Sequence, residues 1–170
     1  LPLPDDAAET HPKVQELRER VQACGKGPFD WPALSFGADT PDGTLNARGL
    51  ERATDDSNAA GVVFSTPERA ILELCDETPD SALVHEANAL MQGLATLRPQ
   101  LVSALLEHCD SVKAKRLFLA LADRHRHAWL AHVRLQNVNL GNGKRVLVPG
   151  GKLNAKYQIT LPADLDEQLG

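Results

Sequence analysis

Apolar positions in this chain recur at two different periods, and the change between them organises everything else. Val14, Leu17 and Val21 stand at helical spacing and predict a helix over residues 12–23, with Thr10 or His11 available as its cap, Glu16 and Arg20 paired on its wet side, and Gly25 and Gly27 ending it. Between Gly25 and Gly61 the pattern dissolves: prolines and glycines punctuate the chain and no apolar period lasts more than a few residues. This stretch reads as a linker or as the remnant of a partly absent domain. Within it Phe29, Trp31, Leu34 and Phe36 are expected to lie on the core as a strap.

Helical spacing returns after Val62. Ser65-Thr66-Pro67-Glu68 opens a helix, either through a Ser65–Glu68 capping box or with Thr66 as the cap and Pro67 in the first turn. Ala70, Ile71, Leu74 and Cys75 form its stripe. Asp80 or Ser81 opens a second helix carrying Leu83, Ala87, Leu90, Met91 and Leu94; Thr96 is the expected cap of a third, with Leu101, Val102, Leu105 and Leu106. Asp110 or Ser111 caps a fourth, running to about His125. Links of only a few residues predict a compact bundle. The period then shortens to two: Val138 and Leu140, Arg145–Val148 and Tyr157–Leu161 are strand candidates, with turns at Gly141-Asn142-Gly143 and Pro149-Gly150-Gly151. The expected fold is therefore α+β, a compact bundle of about four helices with a small C-terminal antiparallel sheet. Residues 1–61 form an N-terminal helix with a linker or remnant, and residues 62–170 the principal domain.

Composition narrows the function classes. The chain has 170 residues, 42% of them hydrophobic, enough to bury one core. Three cysteines, Cys24, Cys75 and Cys109, are too scattered for a disulfide framework or a paired zinc site and fit reduced thiols in a cytosol. No apolar run reaches the roughly 18 residues of a membrane span, so no membrane partner is expected, and no signal-peptide pattern opens the chain. The chain begins with Leu1 and so reads as a processed protein or a fragment.

Charge changes the picture more. The net charge of −5 conceals a partition: from Ser111 to Lys156 ten Lys or Arg face one acid, Asp123. A segment of that sign binds polyanions even within an acidic protein, because screening confines the influence of the acidic half to about 8 Å at physiological salt. On the fourth helix Ala114, Leu117, Phe118, Leu121 and Ala122 span one face; Lys113, Arg116 and Arg124 cluster opposite, with Lys115 on the flank. That arrangement predicts a phosphate rail. Lys144 and Arg145 at one turn, with Lys152 and Lys156 after the next, extend it. Charge reversal at Lys113 and Arg116 is then expected to abolish nucleic-acid binding with little change in the thermal midpoint.

Catalytic motifs are lacking in the sequence. The Gly-rich turn lacks the spacing of a phosphate loop and precedes no helix, which argues against nucleotide hydrolysis. His125, His127 and His132 are badly spaced for one metal and flanked by arginines; His108 beside Cys109, and Ser65 near Glu68, show no third group. No enzyme activity, metal or cofactor is expected, and a hydrolase using those histidines ranks last.

Several blocks in order carry a resemblance: Ser65-Thr-Pro-Glu-Arg-Ala-Ile-Leu-Glu73, Gly93-Leu-Ala-Thr-Leu-Arg-Pro99, Ser111-Val-Lys-Ala-Lys-Arg-Leu-Phe-Leu119, Leu140-Gly-Asn-Gly-Lys-Arg-Val146, Gly150-Gly-Lys-Leu153 and Lys156-Tyr-Gln-Ile-Thr160. Over about residues 62–162 they resemble the C-terminal region of AbiEi-type antitoxins of type IV toxin–antitoxin (abortive infection) systems. The resemblance implies a bacterial cytoplasmic antitoxin encoded beside a nucleotidyltransferase-like toxin, which it need not bind stably. It also implies transcriptional autoregulation, with operator DNA or the toxin's substrate RNA as partner. Lys113, Lys115, Arg116, Lys144, Arg145 and Lys152 are the matching basic positions. Family members carry an N-terminal winged helix-turn-helix; residues 1–61 show no such pattern, so this chain is expected to lack or to have diverged from that module. The competing reading is a protein-interaction module that holds the toxin directly, through the acidic half or the Phe29–Phe36 strap.

Overall fold

The computed structural model describes residues 27–32, 39–55, 58–78 and 80–165. The predicted helix over 12–23, and Leu34 and Phe36 of the strap, lie outside them. In chain order the elements are α1 (Asp42–Ala47), β1 (Leu50–Asp55), β2 (Asn58–Ser65), α2 (Pro67–Glu77), α3 (Ser81–Gly93), α4 (Pro99–His108), α5 (Val112–Arg124), a 3-10 turn (Ala128–His132), β3 (Lys152–Asn154) and β4 (Ile159–Leu161). The expected α+β class holds, with four longer helices and a small C-terminal antiparallel sheet.

Helix α5 is the axis of the molecule. Every residue from Ala114 to Ala122 is buried, so the helix is enclosed on all sides. At roughly 1.5–3 kcal/mol for each large apolar side chain removed from water, Leu117, Phe118, Leu119 and Leu121 make it the strongest single contributor to the core. Its expected polar side therefore does not face water, because residues 140–165 wrap across it. Ser111 caps it, its hydroxyl accepting from Ala114 N–H at 3.2 Å.

The other helix starts follow local chemistry. At α2, Thr66 stands as the cap residue with Pro67 in the first turn; Ser65 makes no capping box and instead donates to Glu73 at 2.8 Å. Asp80 caps α3, accepting from Leu83 N–H at 3.1 Å. Asp80→Ala should cost about 1 kcal/mol, read as a lower urea midpoint with an unchanged slope. The Thr96 cap is corrected: α4 begins at Pro99, which favours the first helical position and holds Arg98 extended (φ −82°, ψ 111°).

Two further corrections concern strands. Within the Gly25–Gly61 stretch expected to be a linker or remnant, and on to Ser65, the chain forms α1 and the antiparallel hairpin β1–β2, with Leu50 opposite Ser65 and Ala53 opposite Val62. Gly49 makes the α1–β1 turn at φ +69°, and a Cβ there would stand 2.9 Å from that of Arg69. Phe29 is buried and Trp31 packs against the core. At the C-terminal end, Val138–Leu140 and Arg145–Val148 are not strands: Lys152–Asn154 pairs with Ile159–Leu161, Lys152 opposite Leu161. Arg145 alone bridges the far edge of β4, at Ile159. Buried Thr160 stands in for a ladder there, its hydroxyl accepting from the N–H groups of Leu147 (2.9 Å) and Val148 (3.2 Å).

Candidate nucleic-acid interface

The eight basic residues singled out in the sequence separate into two groups. Four lie on α5, and three of these are committed to the fold. Lys113 donates its ammonium to the carbonyls of Asp76 and Thr78 (3.2 Å to the latter), closing the C-terminal end of α2, where a cation is favoured. Lys115 is 3% exposed, its stem inside the core. Arg116, equally buried, donates from Nε to the carbonyl of Leu140 (2.7 Å) and from Nη1 to those of Gly143 (2.6 Å) and Gln158 (2.9 Å). These three residues do not form an outward rail. The helical spacing implied one wet face, and this helix has none over Ala114–Ala122.

Arg124, at the end of α5, is half-buried and donates to the carbonyl of Leu165. It lines a cleft of about 350 Å³ together with Lys152, Asn154 and Lys156, over a floor that includes Leu153, Leu161, Pro162 and Leu165. The fold thus brings together three of the expected residues, Arg124, Lys152 and Lys156. Lys156 is exposed and pairs with Asp123 at 2.7 Å, its ammonium also 5.1 Å from the Tyr157 ring centroid. The Asp123 hydrogen bond, chiefly, raises its pKa and keeps it charged. Lys144 and Arg145 are exposed on the other side of β4, about 10 Å from β3 across two strand spacings. Arg145 is fixed there by its main chain, N–H to Gln158 O at 2.8 Å and C=O from Thr160 N at 3.0 Å.

Two contributors escaped the sequence reading. Asn154 accepts from Tyr157 N–H at 3.0 Å and so shapes the turn that presents Lys156. Asp123, noticed as the sole acid of the basic segment, is the partner that sets the orientation of Lys156. Its spacing of 33 residues from Lys156 gave no local signal.

The candidate catalytic clusters are occupied otherwise. His127 bonds the Met91 carbonyl (2.7 Å) and stacks on Trp129, whose indole donates to Leu94 O (2.8 Å). His125 bonds Asn88 (2.9 Å), and burial, then the neighbouring His127 and Arg124, lowers its pKa. These rings close the C-terminal end of α3. His108 does have a third group, Asp30, at 2.8 Å. The adjacent Cys109 is 2% exposed, and burial pushes its thiol up to about 11, so it offers no thiolate at neutral pH. Among the described residues no group of His, Cys, Asp and Glu could hold a metal ion, and no helix is long and apolar enough to cross a membrane.

Residues 36–162 match the family model described as a transcriptional regulator, the AbiEi antitoxin of a type IV toxin–antitoxin system. The chain belongs to the AbiEi antitoxin family. The matched span begins upstream of Val62 and takes in α1 and the β1–β2 hairpin as well as the blocks that carried the resemblance. No curated protein and no solved structure matches the chain. Within this AbiEi domain, the α5 cations Lys113, Lys115 and Arg116 belong to the architecture, while Lys144, Arg145, Lys152 and Lys156 are exposed around the C-terminal sheet.

Proposed function

We propose that this AbiEi-family protein counteracts a nucleotidyltransferase-like toxin and represses its own transcription by binding nucleic acid through the cations around its C-terminal sheet. The observation that carries this reading is the convergence of Arg124, Lys152 and Lys156 on one cleft, with Lys144 and Arg145 exposed across β4. Contacts of this kind are to phosphates, which position a protein on a strand and leave base identity to other groups. The apolar floor of the cleft gives room for a sugar or base beside a bound phosphate, compatible with operator DNA or with the toxin's RNA substrate.

The test is the triple variant K144E/R145E/K152E. All three side chains are exposed, so the thermal midpoint should move by no more than about 2 °C. Binding to a duplex carrying the operator region, or to the toxin's RNA substrate, should weaken at least tenfold in low-salt titrations, and the salt dependence should flatten by about one slope unit for each phosphate no longer neutralised. Co-expression with the toxin should then fail to restore growth. Undiminished affinity for both nucleic acids would reject the surface.

A further inference from the structure

We propose that the outer edge of β2 is a dimerisation edge, on which a second copy of this chain adds its own β2 antiparallel to the first. The proposal stands apart from the nucleic-acid reading. A two-stranded sheet is marginal by itself, and among the described residues β2 pairs only with β1. The two strands differ in a way that decides which edge is open to a partner. Strand β1, Leu50-Glu-Arg-Ala-Thr-Asp55, carries three charges and is covered by α1 and the segment before it, Arg52 donating to Thr40 O (3.0 Å) and facing Asp42 (3.4 Å). Strand β2, Asn58-Ala-Ala-Gly-Val-Val-Phe-Ser65, has no charge and no proline. Charged side chains and prolines are the usual devices that stop an edge strand from pairing, and β2 has neither.

Its side chains agree. Val62 and Phe64 alternate onto one face, across from Ala53 and Glu51, and are 62% and 45% exposed, two of the most exposed large apolar residues described. Val62 to Ser65 run in unbroken register with Ala53 to Leu50, beyond the irregularity at Ala53–Asp55, and among the described residues no third strand pairs with this stretch. A two-fold axis through an edge strand relates it to itself antiparallel, the orientation in which identical strands pair. An uncharged strand meets no like-charge repulsion in that pairing, and each copy's Val62 and Phe64 become cross-strand neighbours of the other's. One strand pair with a small apolar cluster makes a limited interface, which sets the expected dissociation constant on the order of 10 μM.

Sedimentation equilibrium of the full chain over roughly 1–200 μM should show the mass rising from one copy to two. The variant V62K/F64K should remain a single copy throughout with a near-native melting curve, since both substituted side chains are solvent-facing. Hydrogen exchange on the unaltered chain gives an independent reading: β2 amides should exchange several-fold more slowly at the highest concentration than at the lowest. A single-copy mass at every concentration overturns the proposal. So does a dimer whose β2 exchange is independent of concentration, or one that V62K/F64K leaves intact.

Discussion

Replacing Arg116 with Leu should lower the stability of the protein by about 3 kcal/mol, reversing the sequence-based expectation that charge reversal here leaves the fold untouched. The reason lies in the main chain of residues 139–147, which is neither helix nor strand and meets β4 only at Arg145, so that the carbonyls of Leu140 and Gly143 depend on side-chain donors. Gly141 and Gly143, at φ +64° and +71°, fold this segment over α5, and the Arg116 fork collects the carbonyls of Leu140 and Gly143 together with that of Gln158. The Gln158 carbonyl keeps the Arg145 N–H, but those of Leu140 and Gly143 lose this donor; at about 1–3 kcal/mol for each carbonyl left unsatisfied, the two outweigh whatever Leu gains in packing. For a chain of this length the thermal midpoint should fall by about 8 °C, at roughly 2–4 °C per kcal/mol. Arg116→Lys should lose an intermediate amount, since one ammonium cannot reproduce a planar fork across three acceptors. The decisive comparison is with K144E/R145E/K152E, in which the midpoint stays and binding goes. A midpoint for Arg116→Leu within about 2 °C of the unaltered protein would mean that solvent reaches these carbonyls and that Arg116 is no staple.

That contrast shows how far the sequence could be read. Helices α2, α3 and α5 were legible because Pro67, Asp80 and Ser111 mark their starts locally and their apolar stripes repeat. The same local logic failed for α4 only because Thr96 competed with a stronger signal, Pro99. The β1–β2 hairpin was missed for a different reason. One face of each strand stays wet, so Val62 and Phe64 break the alternation that would mark a half-buried strand, and Gly61, at φ +72°, interrupts β2. Over residues 140–148 the composition of a strand is present, yet apart from the Arg145 bridge several of its hydrogen bonds go to side chains, Arg116 and Thr160, which no period in the chain records. The candidate interface was legible as a quantity of charge rather than as a geometry. The excess between Ser111 and Lys156 divides between cations that solve internal problems and cations held at the surface, and only the second kind is placed to meet a phosphate.

The acidic half contains a corresponding internal charge, and it gives the protein a defined response to pH. Glu68, in the first turn of α2, is 3% exposed. Its Oε1 accepts from Arg98 N–H (3.0 Å) and Nε (2.9 Å), and its Oε2 from Nη2 (3.1 Å). Because Arg98 is the residue before α4, one carboxylate faces the positive ends of two helices. Burial by itself would raise the Glu68 pKa; the side-chain and main-chain hydrogen bonds from Arg98 outweigh it and hold the group at about 2. A folded-state pKa below the unfolded value of 4.5 means that the stabilisation is complete above pH 4.5 and is lost as pH falls towards 2. The displacement corresponds to at most about 3 kcal/mol, since the half-exposed Arg98 is screened by solvent. Urea titrations from pH 7 to pH 2.5 should therefore show Glu68→Gln less stable than the unaltered protein at neutral pH, with the two curves converging in acid. Curves that remain parallel throughout would show that the carboxylate is not what joins α2 to α4.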